Sequence, residues 1–174
     1  MAVLLLIVFA MGNRPPRLPG FSYIGLHRYS LTICVHERRN VFTSAPLVAE
    51  MLRQISQCTH DWRFAIPAYC FMPDHLHLLA AAEADDSDLR QFTQRVKQRT
   101  GYTYRRTSRS HLWQDGYFEH VLRDDEVTET VARYILANPV RAGLCKEPAQ
   151  YPFSGSLVWT KEQLNDLWFS KGTI

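Results

Sequence analysis

The sequence lacks the features of several specialised protein classes. It has no CxxC pair, no internal repeat, no low-complexity block, and no apolar run of about 20 residues, the length that spans a bilayer. Its cysteines are Cys34, Cys58, Cys70 and Cys145. Scattered in this way, they indicate reduced thiols and not a disulfide framework. With 174 residues, 46% of them hydrophobic, the chain is expected to form a soluble, cytoplasmic domain without a membrane partner.

The N-terminal segment differs from the rest of the chain. An apolar run from Ala2 to Met11 lacks the basic start of a secretory signal, and the proline-rich RPPRLPG at 14–20 excludes a regular element. Residues 1–20 are therefore predicted to be a basic tail, either disordered or packed on the body, or the product of an upstream start with Met11 as the initiator. The domain is expected at 21–150, with 151–174 as an extension packed on it.

Hydrophobic periodicity predicts the element order βαββαβα. The predicted strands cover 27–37, 64–71, 75–81 and 112–123, and the predicted helices cover 44–58, 89–98 or beyond, and 124–137. The turn Met72-Pro73-Asp74 joins the second and third strands into a hairpin. This order predicts an α+β, ferredoxin-like βαββαβα fold, with a four-stranded antiparallel sheet and the helices on one face.

Residues 73–79 read PDHLHLL, with two histidines inside an apolar run. In a strand, His75 and His77 point to the same face, about 6.6 Å apart at about 3.3 Å per residue. Two imidazoles at this spacing can converge on one ion. A pair of polar side chains on the wet face of a half-buried strand fits equally well, so the motif alone does not decide.

The last predicted helix carries Tyr134 and Asn138, which lie four residues apart and share a face. A tyrosine hydroxyl can act as a covalent nucleophile, and an amide oxygen can bind a hard cation. The alternative is a packing tyrosine and an asparagine that caps the helix before proline. If this helix covers the histidines, two nitrogens and one oxygen would suit Mn²⁺, and Mg²⁺ more weakly, but not a closed zinc site.

Together these segments resemble a known family. HLH at 75–77 resembles the HUH motif of single-tyrosine transposases. Three longer blocks resemble the signatures of REP-associated tyrosine transposases: FMPDHLHLL at 71–79, LWQDGYFEHVLRDDE at 112–126 and ARYILANPVRAGL at 132–144. The resemblance extends from about Arg14 to Ser154.

This resemblance implies a role for each matching residue. His75 and His77 would bind a Mg²⁺ or Mn²⁺ ion, and Tyr134 would be the nucleophile. Asn138 would complete the metal site, at a position where insertion-sequence relatives carry glutamine. The family acts on single-stranded DNA beside REP-type hairpins and leaves a 5′-phosphotyrosine link and a free 3′-OH. Its members act as monomers or homodimers.

A basic stretch between Arg90 and Arg109 has seven cations, no acid and interleaved tyrosines. This pattern favours a surface that follows phosphates and stacks bases, although a solvated helix face is the alternative. The predicted DNA-binding residues are Arg95, Lys97, Arg99, Tyr102, Arg105 and Arg106, with Arg141 beyond the last helix and, from the resemblance, Arg14 and Arg17. His120 is expected to be structural, and the alternatives are that it supports the active site or binds DNA.

The leading interpretation is a metal-dependent DNA strand transferase. Two rivals remain: a non-catalytic binder of single-stranded nucleic acid, because RNA-recognition modules share the βαββαβ plan, and a metal-dependent nuclease that uses water in place of Tyr134. The substitution Tyr134→Phe separates the leading interpretation from the nuclease.

Overall fold

The computed structural model describes residues 18–169, and its elements follow the predicted order with additions at the C-terminal end. They are β1 Arg28–Cys34, α1 Ala45–Trp62, β2 Phe64–Met72, β3 His75–Ala82, α2 Leu89–Ser108, β4 Phe118–Val121, α3 Thr128–Leu136, α4 Asn138–Arg141, β5 Ser154–Gly155 and α5 Lys161–Phe169. Most of the predicted tail, with Arg14 and Arg17, lies outside the described residues. None of the helices within 18–169 is long and apolar enough to cross a membrane.

The strands form one antiparallel sheet in the order β4-β1-β3-β2-β5. β3 is the central strand, and β2 and β3 form the predicted hairpin around Pro73 and Asp74. His77 on β3 lies opposite Thr32 on β1 and Cys70 on β2. The histidine motif therefore lies in the middle of the sheet and not at an edge.

One sheet face is covered by α1 and α2, which bury an aromatic core against it. Leu76 and Leu78 of β3 point to this face and are fully buried. The rings of Phe64 and Phe92 stack with their centroids 4.5 Å apart, which joins β2 to α2. Apolar residues at helical spacing on α1, such as Met51 and Ile55, complete the layer.

The opposite face carries a second, smaller core under α3. Leu79 of β3 packs there with Val131 and Ile135 of α3, and Leu164 of α5 adds to the cluster. The prediction that all helices lie on one face is therefore wrong. An amphipathic stripe shows that a helix packs on a sheet but not on which face, and α1 and α2 already cover the first one.

The sheet has five strands, so the prediction of four is also wrong. β5 is only Ser154–Gly155 and pairs with Tyr69 and Cys70 at the edge of β2. Two residues are too short to produce an alternating pattern. A Cβ at Gly155 would come within 2.8 Å of the Tyr69 hydroxyl oxygen, so any larger residue would have to displace the Tyr69 ring. The α+β class and the antiparallel sheet are confirmed, and the ferredoxin-like plan stays a prediction.

The bounds of β4 also differ from the prediction, because this strand covers only Phe118–Val121 and not 112–123. α2 continues to Ser108, in agreement with the prediction that it extends to 98 or beyond. The segment before β4 runs along the end of β1, where Gln114 N–H donates to the Cys34 carbonyl and His36 N–H donates to the Leu112 carbonyl. This irregular segment forms a wall beside α2.

Candidate active site

The two histidines converge on one point, as strand geometry predicts for positions two apart. The Nε2 atoms of His75 and His77 are 3.0 Å apart, and the rings meet edge to face with their centroids 4.7 Å apart. Both side chains lie on the sheet face that also carries α3, since they alternate with Leu76 and Leu78 and share the parity of Leu79.

The other ring nitrogen of each histidine has a partner of its own. His75 Nδ1 lies 2.6 Å from Asp74 Oδ1, and His77 Nδ1 lies 2.9 Å from the Thr32 hydroxyl. Arg38 in turn pairs with the second oxygen of Asp74, at 3.0 Å. When each histidine carries its proton on Nδ1 and donates it to its partner, each Nε2 has a free lone pair, and the two lone pairs point toward each other. Partners of this kind orient the histidines of metal sites.

Burial keeps both imidazoles in the form that binds metal. It lowers the pKa of His77 to about 3, and the nearby charges of His75, Arg141 and Arg38 act in the same direction. Burial also lowers the pKa of His75, although the hydrogen bond to Asp74 opposes this shift. Both rings are therefore neutral at physiological pH, and a neutral imidazole is the ligand that metals require.

The nitrogen pair fits a divalent cation. Two neighbouring ligands at about 2.1 Å from an octahedral ion lie about 3.0 Å apart, which matches the observed separation of 3.0 Å. Between residues 18 and 169 no group of three His, Cys, Asp or Glu side chains is placed to hold an ion. The remaining ligands would have to be amide, water or substrate oxygens, which suit Mg²⁺ and Mn²⁺.

Tyr134 is half-buried on α3, the helix that packs on the histidine face. The Arg141 guanidinium lies over its ring, 3.9 Å from the centroid. The same guanidinium donates to the Tyr134 carbonyl and to Asn138 Oδ1, each at 2.8 Å. The positive charge of Arg141 also contributes to the lowered pKa of His77.

Asn138 caps the end of α3, as the packing alternative supposes. Its amide donates to the Ile135 carbonyl at 3.0 Å, while its oxygen accepts from Arg141. The structure thus forms two groups, His75 with His77, and Tyr134 with Asn138 and Arg141. The assignment of Asn138 as a metal ligand stays a prediction.

His120 also lies on the histidine face, because it pairs with Ser30 on β1. Its Nε2 is 2.9 Å from both carboxylate oxygens of Glu126, and Glu126 accepts the Arg123 N–H at 2.8 Å. Arg28 reinforces this loop by donating to Thr128 at 2.9 Å. These contacts fix the start of α3, so His120 supports the helix that carries Tyr134.

The basic residues of α2 fall into two groups. Lys97 donates to the carbonyls of Gln114 and Gly116, at 2.8 and 2.7 Å. Arg99 contacts α1, where it bonds Gln54 and pairs with Asp61. These two cations hold elements together, whereas the exposed members of the predicted set are Arg95, Tyr102, Arg105 and Arg106.

Three residues of the site were not predicted from the sequence: Thr32, Arg38 and Asp74. Asp74 resembled a turn residue, although its position beside His75 was a usable signal. Thr32 lies 45 residues from its partner His77, so only the strand register identifies it. Arg38 reaches Asp74 from a short helical turn in which Glu37 and Arg38 both have positive φ.

Comparison with known proteins adds independent evidence. The family "Transposase IS200 like" matches residues 24–138. A REP-associated tyrosine transposase of Escherichia coli K12 is 26% identical over 133 residues, which cover 76% of this chain and 78% of that protein. A Haemophilus influenzae protein provisionally given the same name is 26% identical over 137 residues, covering 72% and 77%.

Solved structures agree at the level of the fold. A REP-associated tyrosine transposase bound to a REP hairpin superposes with a TM-score of 0.67 at 22% identity, covering 82% of each chain. At this identity the match supports the architecture alone.

Proposed function

Because the chain belongs to the IS200-like transposase family, we propose that it cuts and rejoins single-stranded DNA beside REP-type hairpins through a covalent link to Tyr134. The chain is an HUH single-tyrosine transposase, and the likeness to REP-associated members is shown by the E. coli and H. influenzae relatives. The observation that carries the proposal is the 3.0 Å approach of the Nε2 atoms of His75 and His77, each ring fixed through Nδ1, on the face that carries the tyrosine helix.

The proposed reaction is a transesterification. The Tyr134 oxygen attacks the phosphorus of one phosphodiester, a P–O bond to tyrosine forms, and the bond to the 3′ oxygen breaks. The tyrosine proton is lost and the leaving 3′ oxygen gains a proton, so that a 5′-phosphotyrosine and a free 3′-OH result. The ester conserves the bond energy, and a second 3′-OH can therefore rejoin the strand without a nucleotide cofactor.

The side chains around the tyrosine have separate tasks in this scheme. His75 and His77 hold the divalent ion, which when bound supplies positive charge that offsets the phosphate's own charge. A free tyrosine has a pKa of about 10, so the attacking hydroxyl needs nearby positive charge that favours loss of its proton. Arg141, over the Tyr134 ring, supplies one such charge and orients the ring. Asn138 Oδ1 accepts from Arg141 and keeps a second lone pair with which it would bind the ion.

The proposed partner is DNA with REP-type hairpins, since a structurally similar REP-associated transposase was solved with a REP hairpin bound. Exposed cations on α2 and at Arg141 offer contacts for a polyanion. Either a monomer or a homodimer is compatible with this scheme.

The experiment uses a single-stranded hairpin taken from the flanks of the gene and labelled at both ends. Wild type, Tyr134→Phe and Tyr151→Phe are incubated with Mn²⁺, with Mg²⁺ or with EDTA, and the products are separated on denaturing gels. Tyr151 is the matched control, because it is also a half-buried tyrosine and packs against the small core under α3, but it donates its hydroxyl to the Phe71 carbonyl.

We expect a metal-dependent protein–DNA adduct with wild type and Tyr151→Phe, and none with Tyr134→Phe. Cleavage that survives in Tyr134→Phe without an adduct would show that water is the nucleophile and would overturn the proposal. Tight binding with no cleavage of any hairpin from the flanks would favour the non-catalytic binder.

A further inference from the structure

A preformed groove runs along α2 on the side away from α1. It has a volume of about 840 Å³ and lies between α2 and the irregular wall at 111–117. Two contacts fix the wall to the helix: Lys97 donates to two wall carbonyls, and Trp113 Nε1 donates to Thr100 Oγ1 at 2.8 Å. The residues that make these contacts are half-buried or buried, so the contacts keep the wall in place beside α2 without a bound ligand.

The helix side of the groove has the chemistry of a nucleic-acid surface. Gln94, Gln98 and Tyr102 lie at intervals of four residues, and Arg105 follows on the same face. The Tyr102 side chain is 67% exposed, which is unusual for a large aromatic residue and leaves its ring available for stacking. Glutamine and arginine can bond to base edges, and arginine also binds phosphate.

The groove is concave and has one cationic side. Arg90 and Arg105 lie on the helix side, whereas Asp115 is the acid of the wall. The major groove of a duplex is about 12 Å wide, so it admits one α-helix but not a helix with a second segment packed beside it. Here the wall flanks α2, so a single strand with its bases toward Tyr102 and its phosphates toward the arginines fits better.

The groove begins close to the histidine site although it lies on the other sheet face. Cys34 of β1 lies between the two regions. On one side it pairs with His75 of β3, and on the other its carbonyl accepts the N–H of the wall residue Gln114. Two strand spacings of about 4.8 Å therefore separate the backbone of the wall from that of His75, roughly 10 Å in all. A few nucleotides cover this distance, because even a stacked strand advances about 3.4 Å per nucleotide.

We propose that this groove binds the single-stranded DNA that continues from the hairpin past the cleavage site, with Tyr102 stacking on a base and Arg105 holding a phosphate. The inference rests on the proposed function for the identity of the DNA. It assigns α2 a role in holding the flanking strand, separate from the chemistry on the opposite face.

The test measures binding by fluorescence anisotropy in the full-length Tyr134→Phe background with EDTA, so that no strand is cut. The probes are one hairpin without tails and the same hairpin with a 5′ or 3′ thymidine tail of up to about 12 nucleotides. We expect one of the tails to tighten binding by about 10-fold, the size of one or two stacked bases. Tyr102→Ala should abolish this gain, and Tyr102→Phe should keep it.

Arg105 and Arg106 form a charge-matched comparison, since both are exposed and adjacent but only Arg105 lines the groove. Arg105→Ala should remove most of the gain and lower the salt dependence of tail binding by about one phosphate contact. Because Arg106 lies outside the groove lining, Arg106→Ala should change the binding of tailed and untailed hairpins equally and so retain the gain. Thermal unfolding of each variant checks that the fold is intact.

Three results would overturn the proposal: no gain from either tail, an equal gain when the tail is made double-stranded, or an equal loss in Arg106→Ala and Arg105→Ala. The adduct assay reports separately on the proposed function. A tail-dependent gain without any adduct would refute the strand-transfer chemistry and keep the groove, whereas an adduct without a gain would do the reverse.

Discussion

The two faces of the sheet use the same strands for different purposes. On the α1 and α2 face, β3 contributes Leu76 and Leu78 to a core of interlocked aromatic rings. On the α3 face, the same strand contributes His75 and His77, and its only member of the smaller apolar cluster is Leu79. Because side chains alternate along a strand, polar chemistry on one face leaves the packing of the other intact. The comparison predicts that stability and catalysis can be damaged separately.

The largest expected effect on stability comes from Phe92→Ala. Phe92 is fully buried and stacks on Phe64, so its removal should lower the free energy of unfolding by about 3–5 kcal/mol. Urea denaturation measures the loss. The molecules that remain folded should form the DNA adduct at the wild-type rate, because no atom on the histidine face changes. A slow adduct in fully folded Phe92→Ala would show that the faces are coupled.

Leu79→Ala should affect both stability and adduct formation. Leu79 is fully buried beneath α3, so the stability loss should be about 3 kcal/mol, near the middle of the range for such truncations. In contrast to Phe92→Ala, the folded protein should also form the adduct more slowly, because α3, the helix that carries Tyr134, loses a residue that supports it. A variant with an unchanged adduct rate would contradict the placement of catalysis on this face.

Strand parity made part of this arrangement predictable from the sequence. HLH in a strand requires that both histidines share a face, and their apolar neighbours require that the opposite face be buried. Which face α3 covers was not predictable, because the apolar stripe through Val131 and Ile135 fits either side of the sheet. β5 also escaped prediction, since Ser154 and Gly155 pair by backbone alone.

The next prediction concerns the side chains that hold the histidines. Asp74→Asn weakens the hydrogen bond to His75 Nδ1 and the pair with Arg38, so the affinity for Mn²⁺ should fall by about 10–100-fold. Titration calorimetry with Mn²⁺ measures this without DNA or turnover. Asp124→Asn, an equal change of charge in an exposed loop, should leave the affinity unchanged. Equal affinities for wild type and Asp74→Asn would remove Asp74 from the site.

Some residues around the site could not be assigned from the sequence. The histidines and Tyr134 belong to motifs, but Thr32 is identified only by the pairing of β1 with β3. Among the α2 cations, a count of charges could not show that Lys97 and Arg99 are held by other elements. Local sequence reports residue type and spacing, whereas these distinctions depend on contacts between distant segments.

The smallest expected effect concerns the N-terminal caps of α1 and α2, the two helices on the face without the histidines. Asp88 begins α2, and its carboxylate accepts the N–H groups of Arg90 and Gln91 at 2.8 and 3.2 Å. Asp88→Ala should therefore lower the free energy of unfolding by about 1 kcal/mol. Ser44 occupies the same position on α1 but makes no capping bond through its side chain, so Ser44→Ala should cost much less.

Both variants should leave the adduct rate per folded molecule unchanged, because α1 and α2 begin on the face without the histidines. Urea denaturation of the two variants, with the adduct assay at a temperature where both are folded, measures the pair. Equal stability losses would mean that the Asp88 hydrogen bonds contribute nothing beyond helix propensity. A loss of catalysis in Asp88→Ala alone would mean instead that the start of α2 communicates with the histidine face, which the separation of the two cores argues against.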